Sequence, residues 1–321
     1  MKFFGDPEPT LSILMYHRIG KPEFGERSLY VSEENFERQV EYLLRRRRVL
    51  SFEDAVELLA RGDLPRGGSV ALTFDDGYRD NYEKAFPILK KHGCPATIFI
   101  ATEPLETGQA LWPARLYMWC GATKVLELRL RVEGAEKNPP LLILRTVRQR
   151  RRAFYKIKSL LIRRDPLARD KLMREIAADL GFNADDDPFN KTSMLTWDHL
   201  REMSAAGIGI GGHTMTHPSL PALSPEERAR EITESKKLIE RKLNRPVTLF
   251  AYPFGGREDF NPELEARVKS SGYRAACSAL RGVNRPGANR FALRRIYVRN
   301  EPLPLFALRL LAGGQEWLSQ H

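Results

Sequence analysis

Three short runs in this 321-residue chain carry side chains suited to chemistry. In Thr73-Phe74-Asp75-Asp76-Gly77, two carboxylates are adjacent. Like charges at that range raise one another's pKa unless a cation lies between them. The glycine permits a sharp turn that can bring both side chains to one space. Gly211-Gly212-His213-Thr214-Met215-Thr216-His217 sets two histidines four residues apart, a spacing that puts both imidazoles on one side of a helical turn. Each run also has a plain structural reading, the first as a turn or cap and the second as surface or core hydrogen bonding. Together they say more. One carboxylate and two imidazoles form a common ligand set for Zn²⁺ and similar ions, with positions left open for water or substrate, and the other carboxylate is then free to act as a base. The same set describes the facial triad of Fe(II) oxygenases; the neighbouring second carboxylate and the lack of a 2-oxoglutarate or dioxygen motif argue against that reading. The third run, Phe250-Ala251-Tyr252-Pro253-Phe254-Gly255-Gly256, is by itself a Pro/Gly turn.

All three runs follow apolar segments. Leu11–Tyr16, Val70–Phe74, Ala96–Ala101, Ile208–Gly211 and Val247–Tyr252 read as buried strands, and Glu33–Arg47, Phe52–Arg61, Asn81–His92, Trp197–Ala206 and Ser224–Leu243 as helices. Ser32 with Asn35 and Ser224 with Glu227 stand where N-caps belong. Strands alternating with helices predict an α/β fold with a parallel sheet, covered on both faces or closed into a barrel. The stretch from about 104 to 191 breaks the rhythm with Trp112, Trp119, a Pro139-Pro140 step, a basic helix and the acidic tract Asp185–Asp187. We read one domain over 1–321, interrupted there by a mostly helical insertion that acts as a lid or substrate-binding cap.

The chain is 42% hydrophobic and 29% charged, ordinary for a globular protein. It has no apolar run long enough to span a bilayer and no signal-peptide pattern at its start, so a cytoplasmic protein is expected, one that can also sit at a membrane periphery. Cys94, Cys120 and Cys277 are too few and too scattered for a disulfide framework or a thiolate zinc cluster. The net charge of +11 concentrates between Arg145 and Arg164, which hold nine Lys or Arg and no Asp or Glu. Val147, Phe154, Ile157 and Leu161 recur there near helical spacing, giving a basic amphipathic helix. Its charged side is a solvated face or a contact for an anionic membrane or lipid-linked glycan; no recognition motif points to nucleic acid.

The order TFDDG, HTMTH, YPFG resembles the polysaccharide deacetylase family, also called the NodB-homology domain or carbohydrate esterase family 4. The similarity covers Leu11–Glu103 and Thr192–Asn300. It implies a distorted NodB-type (β/α) barrel of seven or eight staves with its active site at the carboxyl ends of the strands. Position by position, it implies that Asp75 is the catalytic base and that Asp76, His213 and His217 are the metal ligands. Tyr252, Pro253, Phe254 and Gly255 would line the acetyl pocket, with the Phe254 N–H as oxyanion donor. Two departures stand out. Many members have an arginine, which orients the base, where this chain has Ala251. They also carry a late general-acid histidine, whereas here only His321 follows His217. The subgroup acting on exopolysaccharides has an early Tyr-His motif, matched by Tyr16-His17, and its histidine is proposed to replace that acid. Arg295 in LRRIYV is the candidate for the missing guanidinium, ahead of Arg294.

The resemblance thus implies metal-dependent hydrolysis of N-acetyl groups from amino sugars of a polysaccharide or lipid-linked glycan. Zinc is the first choice of ion, with Co, Ni, Mn or Fe compatible. The alternatives are a glycan-binding barrel that has lost catalysis and a deformylase acting on an amino sugar.

Overall fold

The computed structural model describes residues 8–21, 26–130, 140–186 and 193–313. Seven strands supply the frame: β1 (Leu11–Tyr16), β2 (Ser69–Phe74), β3 (Thr97–Ile100), β4 (Gly209–Gly212), β5 (Leu249–Ala251), β6 (Ala275–Arg281) and β7 (Leu293–Tyr297). Each pairs in parallel with its sequence neighbour. β1 closes the ring by pairing with β2 from Leu11↔Ser69 to Tyr16↔Phe74 on one side and with β7 at Leu14↔Ile296 on the other. The result is a closed seven-stranded parallel barrel. A two-residue strand, Arg48–Val49, adds to the amino end of β2.

Side chains alternate between barrel interior and helical shell, as the two-residue period of a strand requires. Leu11, Ile13, Ala71, Phe99, Leu249, Ala251 and Leu293 pack inward with Phe52 and Val56 of a helix that plugs the lower end. Leu14, Tyr16, Leu72, Phe74, Ile98, Phe250 and Ile296 pack outward. Both faces are apolar, which is why these strands read as continuous hydrophobic runs. The shell is built from α1 (Glu33–Arg46), α2 (Phe52–Arg61, the plug) and α3 (Phe86–His92), and later from α8 (Trp197–Ala205), α9 (Pro225–Leu243), α10 (Pro262–Ser270) and α11 (Leu303–Leu311). Ser32 and Ser224 cap α1 and α9 as expected, accepting from the backbone N–H of Asn35 and Glu227. The helix expected over Asn81–His92 begins instead as a π-turn at Asn81–Ala85, a distortion common at functional sites.

Between β3 and β4 come α4 (Glu103–Thr107), α5 (Trp112–Ala122), an antiparallel hairpin (Glu127–Arg129 with Leu141–Ile143), α6 (Val147–Leu161) and α7 (Pro166–Asp179). These elements share an apolar cluster around Leu116, Trp119, Phe154, Ile157 and Ile176, against which Phe254 from the barrel loops also packs. One residue of the amphipathic reading of α6 needs correction. Val147 is 84% exposed, because it opens the helix ahead of the buried stripe of Ala153, Phe154, Ile157 and Leu161. Pro139, Asp187 and His321 lie outside the described residues.

β4 reads Gly-Ile-Gly-Gly because its neighbours fill the space its side chains would take. A Cβ on Gly211 would stand 2.5 Å from the Phe99 ring and 3.0 Å from the Leu249 carbonyl. Gly211→Ala is therefore expected to destabilise the fold by about 1–3 kcal/mol, read as a lower urea midpoint at unchanged m-value; an unchanged midpoint would mean that the interior yields easily.

Candidate active site

Asp75 follows β2 directly and keeps the inward parity of Ala71 and Thr73. Its backbone N–H still donates to the Tyr16 carbonyl, 3.0 Å away. Arg295, at the middle of β7, points into the same space. Its two terminal nitrogens donate to Asp75 Oδ1 and Oδ2, both at 2.7 Å, and its Nε donates to the Ser278 carbonyl at 2.7 Å. That carbonyl is available because the β6–β7 register shifts between Cys277 and Arg281, a bulge of the kind that re-aims groups beside active sites. Burial pushes the Asp75 pKa up, but the guanidinium outweighs it and holds the carboxyl below its usual range. Arg294, one residue away, has the opposite parity: it is exposed and donates to the Arg281 carbonyl.

Asp76 turns the other way. With φ of 77° it lies in the left-handed region and is followed by Gly77 at 78°, and its Oδ1 sits 3.5 Å from His213 Nε2 and 3.3 Å from His217 Nε2. Burial would raise the Asp76 pKa; hydrogen bonds from the two imidazoles overcome it and hold the carboxyl well below the usual range. The histidines respond differently. For His213, burial is outweighed by Asp76 and Asp75, and its pKa rises; for His217, burial wins over Asp76 and the pKa falls.

The donor set fits a divalent ion. The three ligand atoms lie within 4.8 Å of one another. Tetrahedral coordination at zinc bond lengths would separate them by about 3.3 Å, close to the carboxylate–imidazole distances observed. His213 Nδ1 lies 2.7 Å from the Ala251 carbonyl; as donor there, it leaves the Nε2 lone pair facing the site, the usual outer-shell arrangement of a metal-binding imidazole.

The histidine loop is strained and clamped. Thr214 and His217 have φ of 68° and 54°. Among the described residues, five non-glycine residues have positive φ; Asp76, Thr214, His217 and Phe254 account for four, and Asn244 caps α9. Such conformations cost about 1–3 kcal/mol each and persist only where surroundings over-determine them. Here Glu231 of α9 accepts from the N–H of Met215 (2.7 Å) and Thr216 (3.0 Å) and from the Thr216 hydroxyl. Trp112 of α5 donates its indole N–H to the His217 carbonyl at 3.1 Å.

The third run closes the mouth. Gly255 N–H donates to the Pro253 carbonyl at 2.6 Å around Phe254, whose φ is 61°, a three-residue turn of the rare, strained kind. Gly255 is required: its φ is 64°, and a Cβ would stand 2.6 Å from Ala279 N. No described residue accepts the Phe254 N–H, and its ring packs edge-on against His217 at 4.7 Å. Tyr252 borders the cavity, yet its hydroxyl donates to the Phe291 carbonyl and its ring stacks on Phe260, so its polar end serves the scaffold. Pro253 and Gly255 shape the turn without lining the space. His17 does line it; its carbonyl accepts from Asn81 Nδ2 at 2.8 Å, and its buried Nδ1 has no partner. Its ring acts electrostatically on both Asp75 and Asp76. Tyr16, the first residue of that pair, faces outward and donates to Gln39.

These groups surround one cavity of about 230 Å³ at the carboxyl ends of the strands, walled on the far side by Pro113, Tyr117, Phe154 and Lys158 from the segment between β3 and β4. Sequence reasoning missed Glu231, Trp112 and Lys158. Glu231 left a trace, a carboxylate on the buried stripe with Ile232, Ser235 and Ile239; Trp112 and Lys158 showed only as a tryptophan in the stretch from 104 to 191 and as one of the cations of the basic run.

The sequence profile of the polysaccharide deacetylase family matches residues 63–123 and 154–276, more than half of the chain. The YxkH protein of Bacillus subtilis is 24% identical over 289 residues, covering 90% of this chain and 71% of YxkH. A poly-beta-1,6-N-acetyl-D-glucosamine N-deacetylase of Staphylococcus aureus is 34% identical over 108 residues, 30% of this chain and 37% of that protein. Among solved structures, the Streptococcus pyogenes deacetylase PplD in complex with acetate matches at a TM-score of 0.62 and 21% identity, over 94% of this chain and 98% of that one. IcaB from Ammonifex degensii matches at 0.58 and 20%, over 96% and 97%. At such identities the two structures speak for the fold alone. The profile match extends through Asp75–Asp76 and His213–His217, and the chain belongs to the polysaccharide deacetylase family, hydrolases of carbon–nitrogen bonds other than peptide bonds.

Proposed function

We propose that this protein removes N-acetyl groups from amino sugars of a polysaccharide or lipid-linked glycan, with a divalent ion, zinc first, held by Asp76, His213 and His217. The observation that carries this reading is the division of labour between the two adjacent aspartates, Asp75 bound to Arg295 and Asp76 to the histidines. When bound, the ion supplies Lewis-acid chemistry, acidifying water and polarising the amide carbonyl.

Asp75, kept ionised by Arg295, takes a proton from the attacking water as its oxygen joins the acetyl carbon. Phe254 N–H, free of any described partner, donates to the oxygen on which negative charge builds. His17 delivers a proton to the amine nitrogen as the C–N bond breaks, leaving acetate and a free amino sugar. The Arg295 fork supports the catalytic reading over a glycan-binding barrel without catalysis, since it supplies the guanidinium that Ala251 lacks.

The exposed side of α6 carries Arg148, Arg152 and Lys156, which have no ion-pair partner among the described residues, beside exposed Val147. Leu126, just before the hairpin next to it, and Leu141, within that hairpin, are 53% and 43% exposed. Basic side chains interspersed with protruding apolar ones suit an anionic bilayer surface, each cation contributing about 1 kcal/mol near it. We place the protein there, acting on a lipid-linked or membrane-attached glycan. No helix among the described residues is long and apolar enough to cross a membrane.

Acetate release from N-acetylglucosamine oligomers tests the chemistry. Asp75→Asn is expected to lower kcat at least about 10²-fold while retaining bound zinc by elemental analysis, and a chelator to abolish turnover until metal is restored. Full turnover by the variant or by the metal-free protein would sink the mechanism. His17→Ala is expected to lose about 10²-fold on N-acetyl substrates and far less on aryl acetates, whose leaving group needs no proton; equal losses would remove His17 as the acid. In co-sedimentation with phosphatidylglycerol vesicles, the triple variant Arg148→Gln/Arg152→Gln/Lys156→Gln should bind about tenfold or more weakly than the parent, and parental binding indifferent to salt or absent would exclude the membrane contact.

A further inference from the structure

Five residues other than histidine bring charge to the wall of the active-site cavity: Arg18, Glu26, Asp75, Asp76 and Lys158. Three meet an ionisable partner within the protein, and a fourth, Glu26, meets neutral hydroxyls. Arg18 is paired with Asp80 at 2.7 Å and lies over the rings of Tyr30 and Tyr78. Asp75 is held by Arg295 and Asp76 by the histidines. Glu26 accepts from the hydroxyls of Ser28 and Tyr155.

Lys158 differs. Its ammonium lies over two aromatic faces, 5.7 Å from the centre of Phe154 and 5.6 Å from that of Phe254, and no carboxylate among the described residues pairs with it. Aromatic faces replace only part of an ammonium's hydration. It shares the cavity wall with His217 and would repel a cation held at that imidazole. An anionic group on a bound sugar would give this ammonium the direct partner that no described side chain supplies. Of the other cations on α6, Arg148, Arg151, Arg152 and Lys156 are exposed, and Arg150 donates to the carbonyls of Leu144 and Gly121.

We propose that Lys158 is a specificity-determining residue that reads an anionic substituent, a phosphate or a carboxylate, on the N-acetylated sugar, so that the preferred substrate is an acidic amino sugar rather than a neutral N-acetylglucosamine chain. The inference rests on the deacetylase reading and names the substrate class of that same site. An ammonium with three donors suits either anion as a point charge, and Tyr117, Phe154 and Tyr297 give the sugar apolar walls. Because Lys158 belongs to α6, the segment between β3 and β4 reaches the reacting centre through this one charge.

The test compares three probes on the zinc-loaded full chain: N-acetylglucosamine 1-phosphate, N-acetylmuramic acid for the carboxylate, and neutral N,N′-diacetylchitobiose. Both kcat/KM for acetate release and Kd by calorimetry are measured, in the parent, Lys158→Met and Lys158→Arg. The parent is expected to favour at least one acidic probe about tenfold or more; Lys158→Met should erase that preference in both measurements and Lys158→Arg should restore most of it. The responding probe identifies the anionic group. No preference in the parent, or a loss in Lys158→Met equal for acidic and neutral probes, would overturn the proposal. Lysine-dependent binding of an acidic probe without any acetate release would instead refute the deacetylase reading and leave the anion site standing.

Discussion

Two carboxylates, adjacent in sequence and both buried, cannot share a protein interior without opposing charge. Asp75 and Asp76 are 3% and 7% exposed, and each has a separate answer. A backbone turn at positive φ sends them in different directions, one towards a guanidinium on β7 and the other towards imidazoles after β4. Breaking a buried pair of this kind by removing one partner typically costs about 3–5 kcal/mol. The barrel must close for the first pairing to exist, because Arg295 reaches Asp75 only once β7 lies against β1 and β1 against β2, whereas Asp76 meets the histidines through the β2–β3–β4 neighbours. Fold and site are therefore one electrostatic problem with one solution.

The second constraint is conformational. Strained residues collect at the tips of the three loops, and the rest of the molecule is arranged to hold them. Glu231 fixes the histidine loop from beneath, Trp112 from above, and Asn81 fixes the His17 carbonyl from the π-turn that opens the α3 helix. A loose loop would let the imidazoles drift from the spacing a single ion requires. The polar clamps thus convert barrel rigidity into ligand geometry.

The segment between β3 and β4 belongs to the site as much as to the surface. It has its own apolar cluster, but that cluster includes Phe254 of the barrel loops, and Trp112 donates to the loop carrying His217. One side of α6 faces outward with basic residues while Phe154 and Lys158 face the cavity. A helix that meets the surroundings on one side and the substrate on the other is well placed to couple recognition to chemistry.

Much of this was legible in the chain. The strands at Leu11–Tyr16, Val70–Phe74 and Ala96–Ala101 showed as apolar runs because both of their faces are buried. The chemical residues showed because Asp-Asp-Gly and His-x-x-x-His are compact local patterns attached to strand ends. β6 and the hairpin were not recognised, since Ala-Ala-Cys-Ser and the short pairing strands lack a distinctive period. Residue types and local spacing, then, determined which carboxylates and imidazoles were available for chemistry. Only the tertiary structure decided between Arg294 and Arg295: a strand with an arginine at each parity does not say which one faces inward, and register against β1 and β6 turned Arg295 to Asp75. It alone also brought Glu231, Trp112 and Lys158 to the site, because which loop each side chain meets depends on how the helices pack over the strand ends, and local pattern does not name that partner.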